Sequence, residues 1–527
     1  MYKLYQLTFG LLIICTITAF GQREVLIEPS SDPLIPTDIF PVIMGDTTST
    51  GDRVDNNTVY LLENGNVYVT TGRLVNSVDW PMQIRATDLE NTDVKPIITR
   101  LPNASGSFPD IMRSSGDVDF QNLWIISGEK GPGENSDWGK IRILGEGSTV
   151  RVTDCIIEKD RGGFLQLRAN DVKMYVTNCI FRNGGNRRLL EGNGRGIDAR
   201  NFTFDSLVMK NVIVHNIIDR FFRSQGGIVP HNYIEIDNCT AFNVAGRHGF
   251  IQLGRVRTAK ITDNLFINPI MLGTSPQYTD EQTQPDNDAH KVITVDTLYD
   301  DTEFLINNNN VFWTQDVMDV WAGIDTVSMP DVLSRLIMES MGDEAANAFF
   351  QDPVELTSVP MSIIQYVKDL YANPADEDMF DHTVEDISVQ GTALDFGNLF
   401  DFSTFDPCYD ESSASATGAE FGGAVGAVFL CPELLSSTEN IPQEIAGFEL
   451  YPNPSEGFAT FQYSIKQASQ IDLSIYNLNG QLVQTLANEF HQVGDYNLEW
   501  SSQLTNGLYI AVLRTETGVQ SMKLMIK

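Results

Sequence analysis

Arginine, glutamine and aspartate recur in this sequence at positions that a repeating β-structure would bring into line. Six short apolar segments, at 141–144, 164–167, 197–200, 221–224, 250–253 and 292–295, alternate as half-buried strands do. The residue each turns away from its apolar neighbours is Arg142, Gln166, Asp198, Arg223, Gln252 and Thr294 in turn. A second series comprises Arg187, Arg220 and Arg247, each nine residues after an asparagine, with Arg188 and His248 at the next position. Guanidinium groups stacked at the ~5 Å spacing of neighbouring strands repel unless an anion separates them. That anion is either internal (Asp198, Asp219 or Glu191) or an external carboxylate or sulfate, which a guanidinium fork matches. For proton transfer, His248 is the readier acceptor. Arg223 would act as a base only under extreme perturbation, because guanidinium holds its proton. Asp198 with its neighbours could hold calcium.

A repeat must position these residues. Asn122, Asp154, Asn178, Asn211, Asn238, Asn264 and Asn310 each sit between two strand-like stretches, at spacings of 32, 24, 33, 27, 26 and 46 residues. The text around them alternates Val, Ile, Phe and Thr without a 3.6-residue period, which excludes a helical solenoid. The pattern predicts an all-β chain whose main body is a right-handed parallel β-helix over 52–431. Asparagine suits the turn because it tolerates the left-handed conformation, and its amides can stack from coil to coil. Cys155, Cys179 and Cys239 share the register just after the marker, as a buried small-residue column or as a Cys155–Cys179 disulfide. Lys173, Lys210 and Lys260 fall on a different face from the arginine column.

The chain has 527 residues, 42% hydrophobic and 20% charged, enough for two or three domains with large cores. Its net charge of −35 excludes a general nucleic-acid or anionic-membrane binder. The charge is unevenly spread: residues 140–260 hold 19 basic and 11 acidic side chains, and residues 271–400 hold 3 and 25. Residues 1–21 read as a secretory signal peptide, with Lys3 ahead of an apolar run and Ala19 and Gly21 at the cleavage site. Export permits disulfides, and Cys408 with Cys431 is the expected pair. The histidines lack zinc-ligand spacing. An acidic insertion at about 271–395 carries a helical stretch from 331, with Val332, Leu333, Leu336, Ile337 and Met341 on one face, and a second at 361–371. Residues 432–445 form a linker, and 446–527 show short alternating strands broken by Asn-Gly turns, the pattern of an Ig-like β-sandwich.

Residues 52–435 resemble the pectate-lyase-like β-helix superfamily, particularly its chondroitinase-B-type and alginate-lyase-type branch. The resembling text is Val59-Tyr-Leu-Leu-Glu-Asn-Gly-Asn-Val-Tyr-Val, Met82-Gln-Ile-Arg-Ala and the marker-Cys-Ile-Phe coils. The resemblance implies abstraction of the proton α to a uronate carboxylate, with a lysine base, an arginine about one coil away, and calcium or an amide neutralising the carboxylate. No lysine occupies the outward column, so Arg223 or His248 would stand in as base, with Arg187, Arg220, Arg247, Gln166, Asp198 and Gln252 binding substrate. The C-terminal text Tyr451-Pro-Asn-Pro, Ile471-Asp-Leu-Ser-Ile-Tyr-Asn and Asn506-Gly-Leu-Tyr resembles the type A sorting domain of the type IX secretion system of Bacteroidetes. That resemblance implies passage through the periplasm, handling by the secretion machinery and a sortase-like peptidase, and release or attachment at the cell surface. Two readings stand: a lyase on an acidic polysaccharide, or a non-catalytic adhesin that binds glycans.

Overall fold

A computed structural model describes residues 22–32, 35–126, 141–185, 194–224, 227–275, 290–359, 362–372, 406–420, 422–436, 445–453, 455, 457–465, 468–477, 482–501, 504–505, 507–515 and 519–527. The expected signal peptide lies outside the described residues. Two compact units are present: the solenoid, and a unit formed mainly by residues 433–527.

The solenoid winds through three parallel sheets. The first has ten strands, from Arg23–Ile27 to Glu303–Asn307; the second has eleven, from Thr37–Asp38 to Phe349–Phe350; the third has eight, from Leu74–Asn76 to Ile293–Thr294. Successive coils pair strand on strand, so each sheet is a stack of in-register columns. One inward column of the first sheet runs Tyr60, Ile84, Phe120, Val152, Val176, Met209, Ile236, Ile261 and Ile306, all buried. Each such side chain contributes roughly 1.5–3 kcal/mol through removal from water. The stacked columns are therefore the main source of stability.

The coil begins earlier than residue 52. Arg23–Ile27 pairs with Thr58–Leu62, and the helix Ile39–Gly45 buries Ile39 and Ile43 in the same core.

The turns follow the expected asparagine column, with a change of register at its end. Asn122, Asp154, Asn178, Asn211 and Asn238 all have φ between 50° and 54°. Asn178 donates to Asp154 Oδ1 (3.1 Å) and Asn211 donates to Asn178 Oδ1 (3.2 Å). In the last two coils the left-handed residues are Asp263 and Asn308 (φ 59° and 54°), not Asn264 and Asn310. The pairing Asp237–Thr262–Asn307 sets that register. Asn264 and Asn309 instead point inward, where Asn264 Nδ2 donates to Asn309 Oδ1 at 2.8 Å and Asn264 Oδ1 accepts from Cys239 N. They continue the column begun by Cys155, Cys179 and Cys239, which are free buried thiols and not a disulfide. A second left-handed column lies five residues after Asp154, Asn178, Asn211, Asn238 and Asp263: Lys159, Asn183, Asn216, Asn243 and Asn268. Its amides also stack, Asn216 on Asn183 (2.6 Å) and Asn268 on Asn243 (3.0 Å).

The insertion is helical but differently divided. Helices cover Gln315–Ala322, Arg335–Met341 and Ser362–Ala372. Val332 and Leu333 are not helical. Ile293 N bonds Val332 O and Ile293 bridges Leu333 in parallel, so this segment extends the third sheet at an edge that would otherwise leave backbone groups unpaired. Ser362–Ala372 packs on the second-sheet strands Ile213–Ile217 and Thr240–Val244, and Cys408 is disulfide-bonded to Cys431. Among the described residues, no helix is long and apolar enough to cross a membrane.

The C-terminal unit contains two antiparallel sheets. One orders Ile445–Tyr451, Phe458–Ile465 and Gly494–Ser501; the other orders Leu482–His491, Ser469–Asn477, Gly507–Arg514 and Val519–Ile526. Phe461, Tyr463, Ile471, Leu473, Ile475, Trp500, Leu513 and Leu524 from both sheets share one core. This is the sandwich that the alternating pattern implies.

Candidate functional site

Strand pairing places the outward residues of the third sheet in one continuous column. Arg142 pairs with Gln166, Gln166 with Asp198, Asp198 with Arg223, Arg223 with Gln252 and Gln252 with Thr294. The column extends two coils further back than sequence spacing indicates, through Arg113 to Val75. Arg73, Arg168, Arg195, Arg200 and Arg220 flank it, on the same strands or at their ends.

Three buried aspartates organise these arginines. Asp110 accepts from Arg113 Nε (2.6 Å), with Arg73 Nε at 3.3 Å and Arg142 Nη1 at 3.9 Å. Asp198 is surrounded by Arg195 Nη1 (3.3 Å), Arg200 Nε (3.2 Å) and Arg223 Nη1 (3.5 Å). Asp219 accepts from Arg195 Nε (2.6 Å) and Arg220 Nε (3.2 Å) and bonds His248 Nδ1 (2.7 Å). Burial opposes charge on Asp219, but Arg220, His248 and Arg195 outweigh it and hold the carboxyl well below its usual range. Gln166 Oε1 links Arg142 (3.4 Å) to Arg168 (3.3 Å), and Gln252 Oε1 accepts from Arg220.

This geometry sorts the sequence-derived residues. Asp198, Gln166 and Gln252 are in the column but only 1%, 1% and 6% exposed, and the Arg220 side chain is 3% exposed. Their hydrogen bonds go to neighbouring groups of the face. Arg220 pairs in register with Arg195, not with Arg187 or Arg247. Counting nine residues from the marker fails there because the coil from Asn178 to Asn211 is longer than its neighbours. Arg187, Arg188 and Glu191 lie outside the described residues. Arg247 is half-buried beside His248, at the bend that precedes the strand Ile251–Gln252. Asp198 does not suit calcium, since guanidinium groups approach both carboxylate oxygens. Burial, followed by the charge of Arg195, lowers Arg223 to about 10, still a cation at neutral pH and therefore no base. Of the two candidate bases His248 remains. Its Nδ1 lies 2.7 Å from the Asp219 carboxylate, which orients the ring.

Among the described arginines that face these aspartates, the most exposed side chains are those of Arg73 (40%), Arg113 (35%), Arg200 (39%) and Arg142 (23%), with Arg223 less so (16%). Arg73, Arg113 and Arg200 escaped the sequence reading. The alternation Met112-Arg113-Ser114 is a legible signal for Arg113, since Ile111 and Met112 are as apolar as the residues flanking Arg142 and Arg223. Lys210 and Lys260 lie on the first sheet, where both bridge Glu235 (3.0 and 3.1 Å), so they stand on another face as expected. Asp406, Cys408 and Cys431 cluster, but both sulfurs are committed to the disulfide and offer no metal ligand.

Fold and face together define a parallel β-helix with an arginine-rich third sheet, followed in sequence by an antiparallel sandwich. Residues 449–527 match the family described as the secretion system C-terminal sorting domain. The protein is thus exported by the type IX route, to the outer surface or beyond it. No curated protein and no solved structure matches the chain.

Proposed function

We propose that the third sheet binds an acidic polysaccharide, of the uronate class, outside the cell. The observation that carries this reading is the continuous register from Arg113 through Arg142 to Arg223, with solvent-facing guanidinium groups along one side of the solenoid. Among the described residues the buried aspartates are outnumbered: Asp110 serves three arginines, and Asp198 and Asp219 serve four between them. A repeating polyanion supplies counter-charge at intervals, which a globular anion does not. Export to a surface where glycans are abundant is consistent with such a ligand, as is the resemblance of the coils to polysaccharide lyases. Co-sedimentation with insoluble pectate and with chitin, a neutral polymer, tests the reading. Retention on pectate alone supports it, and equal retention on both contradicts it.

A second reading is favoured by one observation, the 2.7 Å contact between His248 Nδ1 and Asp219. His248 Nε2 would take the proton α to a uronate carboxylate. The C–O bond to the leaving sugar would break as the C=C bond forms, and solvent would protonate the departing oxygen. Ultraviolet absorbance of the unsaturated product, present in the natural protein and lost in His248→Ala, would support elimination. Binding without product would leave an adhesin.

A further inference from the structure

Arg73, Arg113 and Arg200 share one geometry. In each, the nitrogen nearest the buried aspartate is Nε: 3.3 Å and 2.6 Å to Asp110, and 3.2 Å to Asp198. A guanidinium has two edges that can accept an oxyanion, and the aspartate occupies the inner one. The outer edge, the Nη1/Nη2 fork, is left on side chains 35–40% exposed. Arg200 is further fixed by its backbone. It has φ 48° and follows a register shift between Asp198 and Arg200, a bulge that turns its side chain back beside Asp198. A left-handed conformation is costly for arginine, and the fold maintains it at this position.

We infer that these residues form two preorganised oxyanion seats, one at Arg73 and Arg113 and the other at Arg200, and that the face selects anionic chains long enough to span them. This rests on the polysaccharide reading above and adds a length requirement to it. From Arg113 the column climbs three coils, through Arg142 and Gln166, to Asp198. At the ~4.8 Å strand spacing the seats are about 14 Å apart. A chain that reaches only one seat gains one interaction. A chain that reaches both gains the second at high effective concentration. Arg142 and Arg168, joined through Gln166, line the path between them.

Calorimetric titration of the full-length protein with size-fractionated oligogalacturonates tests the inference. The expected result is a step of at least tenfold in affinity at the length that bridges both seats. Arg113→Lys and Arg200→Lys keep the charge but lose the fork, so each should abolish the step. Arg200→Gly, which relieves the left-handed strain, provides a variant that keeps its fold and should also lack the step. A smooth rise with length, or a step retained in both lysine variants, would overturn the two-seat inference and leave the binding reading intact. Failure of every oligomer and of the polymer to bind would remove the binding reading itself.

Discussion

Replacing Asp110 by Asn separates two explanations of the arginine face because they give opposite signs. Asp110 lies at the centre of Arg73, Arg113 and Arg142, accepting from Arg113 Nε at 2.6 Å. If the face works only through net charge, D110N adds one positive charge and tightens binding of a polyanion. At roughly 8 Å across a mostly solvated surface that gain is about 0.5–1 kcal/mol. If Asp110 instead holds the guanidinium forks in place, the substitution frees the two side chains whose Nε faces it, Arg73 and Arg113. Each then costs about 0.5–1.5 kcal/mol to immobilise when the ligand binds. The net expectation is weakening by about 1 kcal/mol, five- to tenfold. The three partners are 23–40% exposed, so the stability cost is modest, on the order of 1–2 kcal/mol. Thermal unfolding would establish that the variant is folded, and titration with a long oligogalacturonate at low salt would give its affinity. Tighter binding by D110N would refute the preorganisation argument.

Three further expectations follow from the fold. Burial lowers His231 and His290 to about 3, so the unfolded chain binds protons near pH 6.5 that the folded chain refuses. Stability should therefore fall with pH below about 6.5, by about 1.4 kcal/mol per pH unit for each histidine; equal urea midpoints at pH 7 and pH 5 would contradict this. Cys408→Ser with Cys431→Ser, which opens a 23-residue separation, should cost about 3 kcal/mol and expose residues 406–432 to limited proteolysis. An unchanged digestion pattern would show that packing alone secures the segment. At Asn178, with φ 53° and an amide bonded to Asp154, Ala should destabilise more than Gly by about 1 kcal/mol. The reverse order, measured by denaturant titration, would mean that the turn conformation is not what selects asparagine.

Much of the solenoid was legible because a parallel stack repeats its constraints. A residue that must adopt positive φ at every coil leaves Asn or Asp at each marker, and alternation separates inward Ile and Val from outward Arg and Gln. Legibility failed where two candidates adjoined, as in Asp263-Asn264 and Asn307-Asn308-Asn309-Asn310. There composition cannot tell a left-handed amide from an inward one, and only strand pairing decides. The Arg187–Arg220–Arg247 series failed because coils differ in length, so counting from one marker misplaces residues beyond the next turn. Arg195 occupies the place next to Arg220. Exposure was not legible at all: Arg220 and Arg200 look alike in sequence, yet one is enclosed by Asp219 and Gln252 and the other faces water. The helix expected from 331 began late because Val332 and Leu333 suit a sheet edge as well as an apolar helix stripe.

The central claim is that the third sheet recognises the negative charge of a polysaccharide through its arginines. The most direct measurement compares binding of the full-length protein to a soluble polyuronate and to the same polymer after reduction of its carboxylates to alcohols. The sugar chain, its length and its ring hydroxyl groups are then unchanged, and each carboxylate has become a neutral primary alcohol. Loss of at least tenfold in affinity on reduction is expected, with the residual binding insensitive to Arg113→Lys and Arg200→Lys. Equal affinity for the two polymers would contradict the claim.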